Sequence, residues 1–515
     1  MNQKKTWKVA ILLILSILLL AGCGGKGDDG KSKEKTLVYG SGDYTSINPA
    51  IKEHGEINSL IFTGLMKHDL ENNVETDLAK EVTCSQDHLT YSFTLRDDAT
   101  FHDGKPVTAE DVEFTLQTIL NPDNGSEIVS NYEDIAEMKV SDKANISITL
   151  KAPNVAFLDY MTIGILPKHL LEGKDITTHE FNQKPVGSGP YKLVSWDMGQ
   201  SITLEKYEGY YNGTPKIDKV IFKIVEDTDA RALQLKSGEL DLAQVTPKSA
   251  RELKDLEGFK TLDMKTADYR GILYNFNHPL FKENRELPNA LSYAIDRQAI
   301  VDSVLLGEGS IAYSPLQAGP YNNPDIEKYE YNPEKAKELL EAAGWKMGAN
   351  GYYEKNGKEL GFTINNGQGD QVRVDMSNIC AQNLQDIGVN AKVKVNGETD
   401  WGGQEAYLIG WGSPFDPDDH TYKVFGTDKG ANYNGYSNSK VDTLLVQARA
   451  LQTKEERIPV YQEFQTELAK DLPYTFIAYI DAIYMANDAI TGISADKILG
   501  HHGVGIFWNI EQWDM

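Results

Sequence analysis

The pattern of apolar and polar positions along the chain predicts a mixed α/β protein. Short stretches that alternate, or that are rich in β-branched and aromatic residues, predict strands. These are TLVYGSG (36–42), LTYSFTLRDD (89–98), SITLEKYEGYY (201–211) and KIDKVIFKIV (216–225). Longer stretches with apolar residues at helical spacing predict helices. These are TAEDVEFTLQTIL (108–120), DTDARALQLKS (227–237), NPEKAKELLEAAGW (332–345), KVDTLLVQARAL (440–451) and KEERIPVYQEFQTELAKDL (454–472). No fixed-period repeat is visible, so a solenoid or propeller is not expected.

Residues at the ends of these stretches predict where the elements begin and end. Thr108 and Asn332 precede helical patterns as N-caps, and Gly238 and Gly344 follow helical patterns as terminators. The apolar segment IFWNIEQW (506–513) predicts a strand that closes the fold.

The start of the chain predicts export. Lys4, Lys5 and Lys8 precede an apolar run at residues 9–20, which is shorter than the roughly 20 residues of a spanning helix. The run ends in Leu-Ala-Gly-Cys, which resembles a bacterial lipobox. The resemblance implies cleavage before Cys23 and attachment of lipid, including palmitate, to this cysteine. An uncleaved anchor is the alternative, and either arrangement tethers the chain to the extracytoplasmic face of the cell membrane.

Composition limits what the remaining chain can be. Residues 24–36 are polar and glycine-rich and predict a flexible tether. The body of roughly 480 residues exceeds what one core usually supports, so two or more lobes are expected. The net charge of -25 argues against nucleic acid as a partner and is compatible with a cationic ligand.

Cysteine usage and motif content exclude several classes of protein. Apart from Cys23, the chain contains only Cys84 and Cys380, so a disulfide framework is not expected. The sequence has no Gly-x-Ser-x-Gly elbow, no His-Glu-x-x-His motif and no phosphate loop, so an enzyme is not expected, and neither is a catalytic cofactor.

Five sequence segments, in this order and spacing, resemble those of the extracellular solute-binding proteins of the peptide/nickel ABC importers (family 5). They are LAKEVTCSQDHLTYSFTLRDDATFHDGKPVTAEDV, PVGSGPYKLVSW, ARALQLKSGELDLA, NALSYAIDRQAIV and YNPEKAKELLEAAGW. The resemblance implies a two-lobed, class II periplasmic-binding-protein-like fold with a hinge and an extra subdomain in lobe one. It divides the chain into a signal peptide (1–22), a tether (23–36), lobe one (37–268), lobe two (269–488) and a return to lobe one (489–515). In the first segment, His102 is expected to have a structural role in a turn and not to bind a ligand.

The resemblance also implies a function. A monomeric lipoprotein would close on a small ligand by hinge motion and deliver it to the permease and ATPase subunits of an importer. Peptide binders of the family usually hold the ligand's amino terminus with an aspartate three residues after a tryptophan. Here that position is Pro414, and Asp416, two residues further on, is expected to turn away.

The string Trp-Gly-Ser-Pro-Phe-Asp-Pro instead resembles the nickel-binding branch of the family. That resemblance implies that Trp411 and Phe415 line the pocket, the alternative being a buried aromatic pair below the cleft. It also implies metal ligation by His54, in the loop after the first strand, and by the adjacent pair His501 and His502.

Glycines flank the histidine pair and permit the bend that would bring both imidazoles to one metal. A polar surface loop is the alternative interpretation of the pair, and His420 is a further candidate ligand. Three imidazoles leave part of a nickel shell open, and in this branch free histidine often completes it. Arg373, at the predicted start of a helix, would bind the carboxylate of that histidine, the alternative being a surface arginine.

The predicted cargo is therefore nickel or a nickel–histidine chelate. An oligopeptide, dipeptide or opine binder of the same family, or a receptor for signalling peptides, is the alternative function.

Overall fold

A computed structural model describes residues 34–52, 55–317, 319–396 and 399–515, with the main chain alone at residue 502. Two large apolar cores divide this body into two lobes. The core of lobe one draws on residues 37–264 and again on residues 482–513, and the core of lobe two draws on residues 269–479. The mixed α/β, two-lobed architecture agrees with the prediction from sequence.

Lobe one is built on a seven-stranded sheet, and strands are numbered along the chain. In spatial order the strands are β12 (Phe259–Met264), β22 (Ala482–Asn487), β11 (Leu242–Val245), β1 (Thr36–Ser41), β10 (Lys219–Ile224), β9 (Ser201–Lys206) and β8 (Tyr191–Asp197). β1 runs parallel to both of its neighbours, and the other pairs are antiparallel.

Two further antiparallel sheets form the extra subdomain of lobe one. The four-stranded sheet has the order β4 (Ala79–Cys84), β5 (Thr90–Leu95), β7 (Asn145–Leu150) and β6 (Ile135–Asp142). The two-stranded sheet pairs β2 (Met66–His68) with β3 (Val74–Thr76). β5 and β7 bury every second residue, as strands with one face on a core should.

Lobe two contains a six-stranded sheet and a small three-stranded sheet. The larger has the order β14 (Gly309–Ile311), β21 (Tyr474–Ile480), β13 (Tyr269–Tyr274), β20 (Ala406–Trp411), β18 (Gly361–Gly367) and β19 (Asn390–Asn396). The smaller has the order β15 (Lys346–Met347), β16 (Tyr353–Lys355) and β17 (Lys358–Glu359). Every residue of β13 and β20 is buried, which is typical of central strands covered on both faces.

The helices lie around these sheets, and local capping fixes several of their ends. They are α1 (Asn58–Ile61), α2 (Ala109–Leu120), α3 (Val129–Tyr132), α4 (Phe157–Tyr160), α5 (Lys168–Leu171), α6 (Thr228–Ser237), α7 (Pro247–Leu253), α8 (Pro279–Glu283), α9 (Leu287–Ser292), α10 (Arg297–Ser303), α11 (Pro333–Ala342), α12 (Gln371–Asp386), α13 (Asp418–Phe425), α14 (Ser439–Ala450) and α15 (Lys454–Lys470). The N–H of Thr108 donates to Asp111 in a capping box, and Asn332 accepts from the N–H of Lys335 at 3.0 Å. Among the described residues, no helix combines the length and apolar character needed to cross a membrane.

The chain crosses between the lobes twice. Residues 265–268 lead from β12 into β13, and Asp481 joins β21 to β22. The predicted end of lobe two at residue 488 is therefore wrong, because β22 pairs with β11 and β12 in the sheet of lobe one. The Thr266 hydroxyl donates to the carbonyl of Ile480 at 2.7 Å and ties the two crossings together.

The C-terminal segment is hydrogen-bonded to the first crossing, residues 265–268. The N–H of Ala267 donates to the carbonyl of Leu499 at 3.0 Å. Beyond it, the chain forms 3₁₀ helices at His501–Gly503 and Ile510–Gln512 with turns between them. The predicted strand at 506–513 is therefore wrong, although Phe507 and Trp513 are buried as its apolar pattern suggests. Residues 506–509 form turns and residues 510–512 form a 3₁₀ helix, so this segment is not extended as a strand.

Candidate functional site

Three neighbouring cavities lie along the cleft between the lobes. The largest has a volume of about 500 Å³, and the other two measure about 180 and 310 Å³. Val504 of the C-terminal segment borders all three, so this segment is a wall that they share. The hinge residue Asp268 lines the largest cavity, and His501 lines the smallest.

His501 lies where the C-terminal segment, the hinge and lobe two meet. Its N–H donates to the carbonyl of Gly412 in lobe two at 3.1 Å, and its Nδ1 lies 2.9 Å from Oδ1 of Asp268. Asp268 also accepts a hydrogen bond from Arg270. Burial lowers the pKa of His501 to about 4 despite the opposing charge of Asp268, so the imidazole is neutral at pH 7. A neutral histidine oriented by a carboxylate is the usual form of a metal ligand in proteins.

The lining of the largest cavity is strongly acidic. It includes six carboxylates and two guanidinium groups, which are Asp43, Glu56, Glu226, Asp268, Asp370 and Asp481, and Arg231 and Arg270. Clustered charge of one sign in a concave, poorly hydrated wall favours a ligand of the opposite sign. The largest cavity therefore suits a cation at this wall.

Arg373 lies at the first turn of α12, as predicted, one residue beyond the segment 368–372 that lines the largest cavity. Its side chain is 15% exposed, and its Nε lies 3.0 Å from Asp370. Burial, and then the nearby charge of Arg270, lower the pKa of Arg373 to about 10, which leaves the group cationic at pH 7. Among the described residues, Nη2 of Arg373 and Nε of Arg270 are buried without a hydrogen-bond partner. Such donors are costly to leave unpaired, and a ligand carboxylate would satisfy them.

Trp411 and Phe415 both line the smallest cavity. Trp411 ends β20, and its ring centroid lies 6.2 Å from that of His501 at an interplanar angle of 24°. Phe415 stacks on His68 of lobe one, with centroids 3.7 Å apart and rings within 5° of parallel. The structure therefore places both aromatic residues at the junction of the lobes.

His68 is a wall residue that the sequence analysis did not single out. It ends β2, and its Nε2 lies 3.0 Å from Asp159. No local pattern could have identified it, because the ring that it stacks on lies in the other lobe.

Asp416 is turned away from the cleft, as the sequence suggested. Both of its carboxylate oxygens accept hydrogen bonds from Arg457 of α15, at 2.5 and 2.7 Å. A carboxylate held in this two-pronged pair is poorly placed to receive the ammonium group of a peptide. His420, the further candidate ligand, lies in the wall of the smallest cavity with Nε2 3.2 Å from the carbonyl of Pro315.

Glu56 is a second wall residue that the sequence did not single out. Its carboxyl group accepts hydrogen bonds from the hydroxyls of Tyr39 and Tyr44, at 3.0 and 3.2 Å. Burial raises the pKa of Glu56, and these two hydrogen bonds oppose the rise. Glu56 lines both the largest cavity and the third, so its carboxyl group borders both.

Several predicted residues lie outside the described residues. They are Cys23 with the whole signal peptide, His54, and the side chain of His502. Among the side chains that are described, no group of three or more His, Cys, Asp and Glu residues is arranged to hold a metal ion. The predicted three-histidine set therefore stays a prediction.

Comparison with known proteins identifies the family. The model of the bacterial extracellular solute-binding proteins, family 5 Middle, matches residues 73–433. The oligopeptide-binding protein AppA of Bacillus subtilis (strain 168) is 31% identical over 554 residues, covering 100% of this chain and 99% of that protein.

Two solved structures support the same assignment. NikZ from Campylobacter jejuni in complex with Ni(L-His) has a TM-score of 0.89 and 36% identity, covering 94% of this chain and 100% of that one. AppA from Bacillus subtilis in complex with a nonapeptide has a TM-score of 0.86 and 30% identity, with the same coverage of both chains. These matches confirm the two-lobed fold of the periplasmic binding proteins. The relatives are solute-binding proteins, and solute-binding proteins are not enzymes. The family implies an extracytoplasmic location and the permease and ATPase of an ABC importer as partners. The chain belongs to the bacterial extracellular solute-binding proteins of family 5.

Proposed function

We propose that this protein captures nickel, as the ion or as a chelate with free histidine, and delivers it to the permease of an ABC importer. The observation that carries the proposal is the position of His501. It is neutral, it is oriented by Asp268, and it lies at the point where both lobes meet the C-terminal segment. His54 and His502 would complete a three-imidazole set, which suits nickel.

Two features of the cleft support a chelate as cargo. The acidic lining of the largest cavity favours the metal cation. The buried and unpaired Nη2 of Arg373 offers a donor for the carboxylate of histidine. The similarity to NikZ in complex with Ni(L-His) points the same way.

A peptide is the second candidate cargo. The largest cavity, at about 500 Å³, lies in the range that holds drug-sized ligands and is far larger than a hydrated metal ion. The similarity to AppA in complex with a nonapeptide also favours it. The pairing of Asp416 with Arg457 weighs against a peptide. Asp416 is the first carboxylate after Trp411 in the sequence, and both of its oxygens already accept hydrogen bonds from Arg457.

Isothermal titration calorimetry tests the proposal. Nickel chloride is titrated into the protein with and without L-histidine, and we expect saturable binding that histidine strengthens. Replacing His501 with Gln should abolish binding, whereas the matched change His169→Gln, at a histidine that pairs with Asp103 and does not line the three cavities, should not. Absence of nickel binding under both conditions, together with tight binding of peptides, would contradict the proposal.

A conservative change at Arg373 separates the ion from the chelate. Arg373→Lys keeps the charge but removes the fork that binds a carboxylate. We expect it to weaken binding of nickel with histidine by about tenfold while leaving binding of nickel alone nearly unchanged. Equal effects on the two ligands would indicate that Arg373 does not contact the chelator.

We also propose that Cys23 carries the lipid that anchors the protein to the membrane and that the protein is a monomer. Replacing Cys23 with Ser should release the protein from the membrane fraction. Retention of that variant with the membrane would favour the uncleaved anchor.

A further inference from the structure

A cluster of polar residues bridges the two lobes on the side of α13. Its centre is Arg449, at the end of α14 in lobe two, with a side chain only 5% exposed. Nε of Arg449 donates to Asp418 of the same lobe at 2.9 and 3.0 Å, and its Nη1 donates to Asp134 of lobe one at 2.7 Å. The hydroxyl of Tyr160, also in lobe one, donates to Asp418 at 2.5 Å.

A second group of contacts extends this cluster along the seam. Glu133 of lobe one accepts hydrogen bonds from Lys429 and, at 3.2 Å, from the hydroxyl of Tyr422. The N–H of Gly430 lies 3.3 Å from the hydroxyl of Ser130. All of the lobe-one partners in this group come from α3 and the two residues after it.

These contacts depend on closure of the lobes. Because Asp418 and Arg449 belong to one lobe, their pair would persist in an open cleft, whereas Asp134 and Tyr160 belong to the other lobe and would separate from it. The Asp418 side chain is fully buried in the closed form, where hydrogen bonds to a charged group contribute most. The closed form therefore gains contacts that the open form lacks.

The cluster is also joined directly to the ligand cleft. α13 begins at Asp418, three residues after Phe415, which lines the smallest cavity and stacks on His68 in the wall of the third cavity. Asp134, Asp418 and Arg449 do not themselves line the cavities of the described cleft. A change at Asp134 can therefore alter closure without altering a cavity wall.

We propose that Asp134, Tyr160, Asp418 and Arg449 form a closure latch that holds the lobes together with or without cargo. The latch sets affinity by raising the fraction of protein in the closed, binding-competent form. This inference goes beyond the identity of the cargo, because it concerns the equilibrium between open and closed protein.

The test measures the distance between the lobes by electron paramagnetic resonance. Spin labels are placed on Cys84, which is exposed in lobe one, and on Met347→Cys, an exposed position in lobe two, with Cys23→Ser in every version. Asp134→Asn removes one arm of the latch at a partly exposed residue, so the protein should fold. Asp218→Asn is the matched control, because Asp218 pairs with Lys206 at 2.7 Å within lobe one at similar exposure.

In the absence of ligand, we expect Asp134→Asn to shift the distance distribution away from that of the wild type and the Asp218→Asn control. Calorimetry with nickel chloride and L-histidine should show affinity weakened by about tenfold in Asp134→Asn and unchanged in the control. The distance measurement without ligand tests the closure latch even if nickel is not the cargo. A ligand-free wild type that matches Asp134→Asn in its distances would overturn the proposal.

Discussion

Acid should destabilise the protein through His102, a residue that joins two distant turns of lobe one. The N–H of His102 donates to the carbonyl of Gly187 at 2.8 Å, and the N–H of Gly187 donates back to Nδ1 of His102 at 3.2 Å. Nε2 lies 3.1 Å from the carbonyl of Gly189 and donates to it. This arrangement needs the neutral ring, because protonation would put a second hydrogen where Gly187 already donates.

Burial lowers the pKa of His102 from 6.5 to about 4. The unfolded chain therefore binds more protons than the folded protein between these values, and stability falls as pH falls through that window. Each pKa unit corresponds to about 1.4 kcal/mol, so full protonation costs about 3 kcal/mol of the free energy of unfolding.

The perturbation is His102→Gln, which keeps a donor for Gly189 and does not titrate. Urea unfolding of both proteins is followed at pH values from 7 to 4. The variant should be less stable at pH 7 because it loses the Nδ1 acceptor, by about 1 kcal/mol. The difference should shrink and change sign as pH approaches 4. Two stability curves that stay parallel over this range would refute the reasoning.

Two further changes test contacts of the segment that follows Trp411. Asp416→Asn should lower the free energy of unfolding of lobe two by about 3 kcal/mol, measured by urea unfolding, because it leaves the buried Arg457 without its charge partner. Ligand affinity of the folded Asp416→Asn protein, measured by calorimetry, should be nearly unchanged, and a selective loss of peptide binding would instead make Asp416 a ligand anchor. Phe415→Ala should weaken ligand binding by about tenfold in calorimetry, because it removes the stack on His68 that joins the lobes. Unchanged affinity would show that this stack does not contribute to the closed form.

The local elements of the fold were predictable because their signals lie within a few residues. Thr108 and Asn332 begin α2 and α11 as their capping chemistry indicates, and Gly238 ends α6 with a φ of 73°. The strand predicted at 506–513 failed for a different reason. Most of its apolar residues are buried, but they lie in turns and a short 3₁₀ helix. An apolar pattern alone does not distinguish a buried strand from buried turns.

The candidate site was predictable only in part. The sequence pointed to His501, Trp411, Phe415 and Arg373, but it could not show what each one contacts. Asp268 contacts His501 across more than 200 residues of sequence, and His68 contacts Phe415 across an even longer separation. Such pairs arise from the meeting of two lobes, and no periodicity or spacing along one segment encodes them.

Anomalous diffraction at the nickel absorption edge tests the central claim most directly. Crystals are grown with nickel chloride and L-histidine. We predict an anomalous peak in the cleft at coordination distance from the imidazole of His501, with His54 and His502 beside it and a histidine carboxylate facing Arg373. A cleft filled by peptide, or a nickel peak only on the protein surface, would contradict the claim.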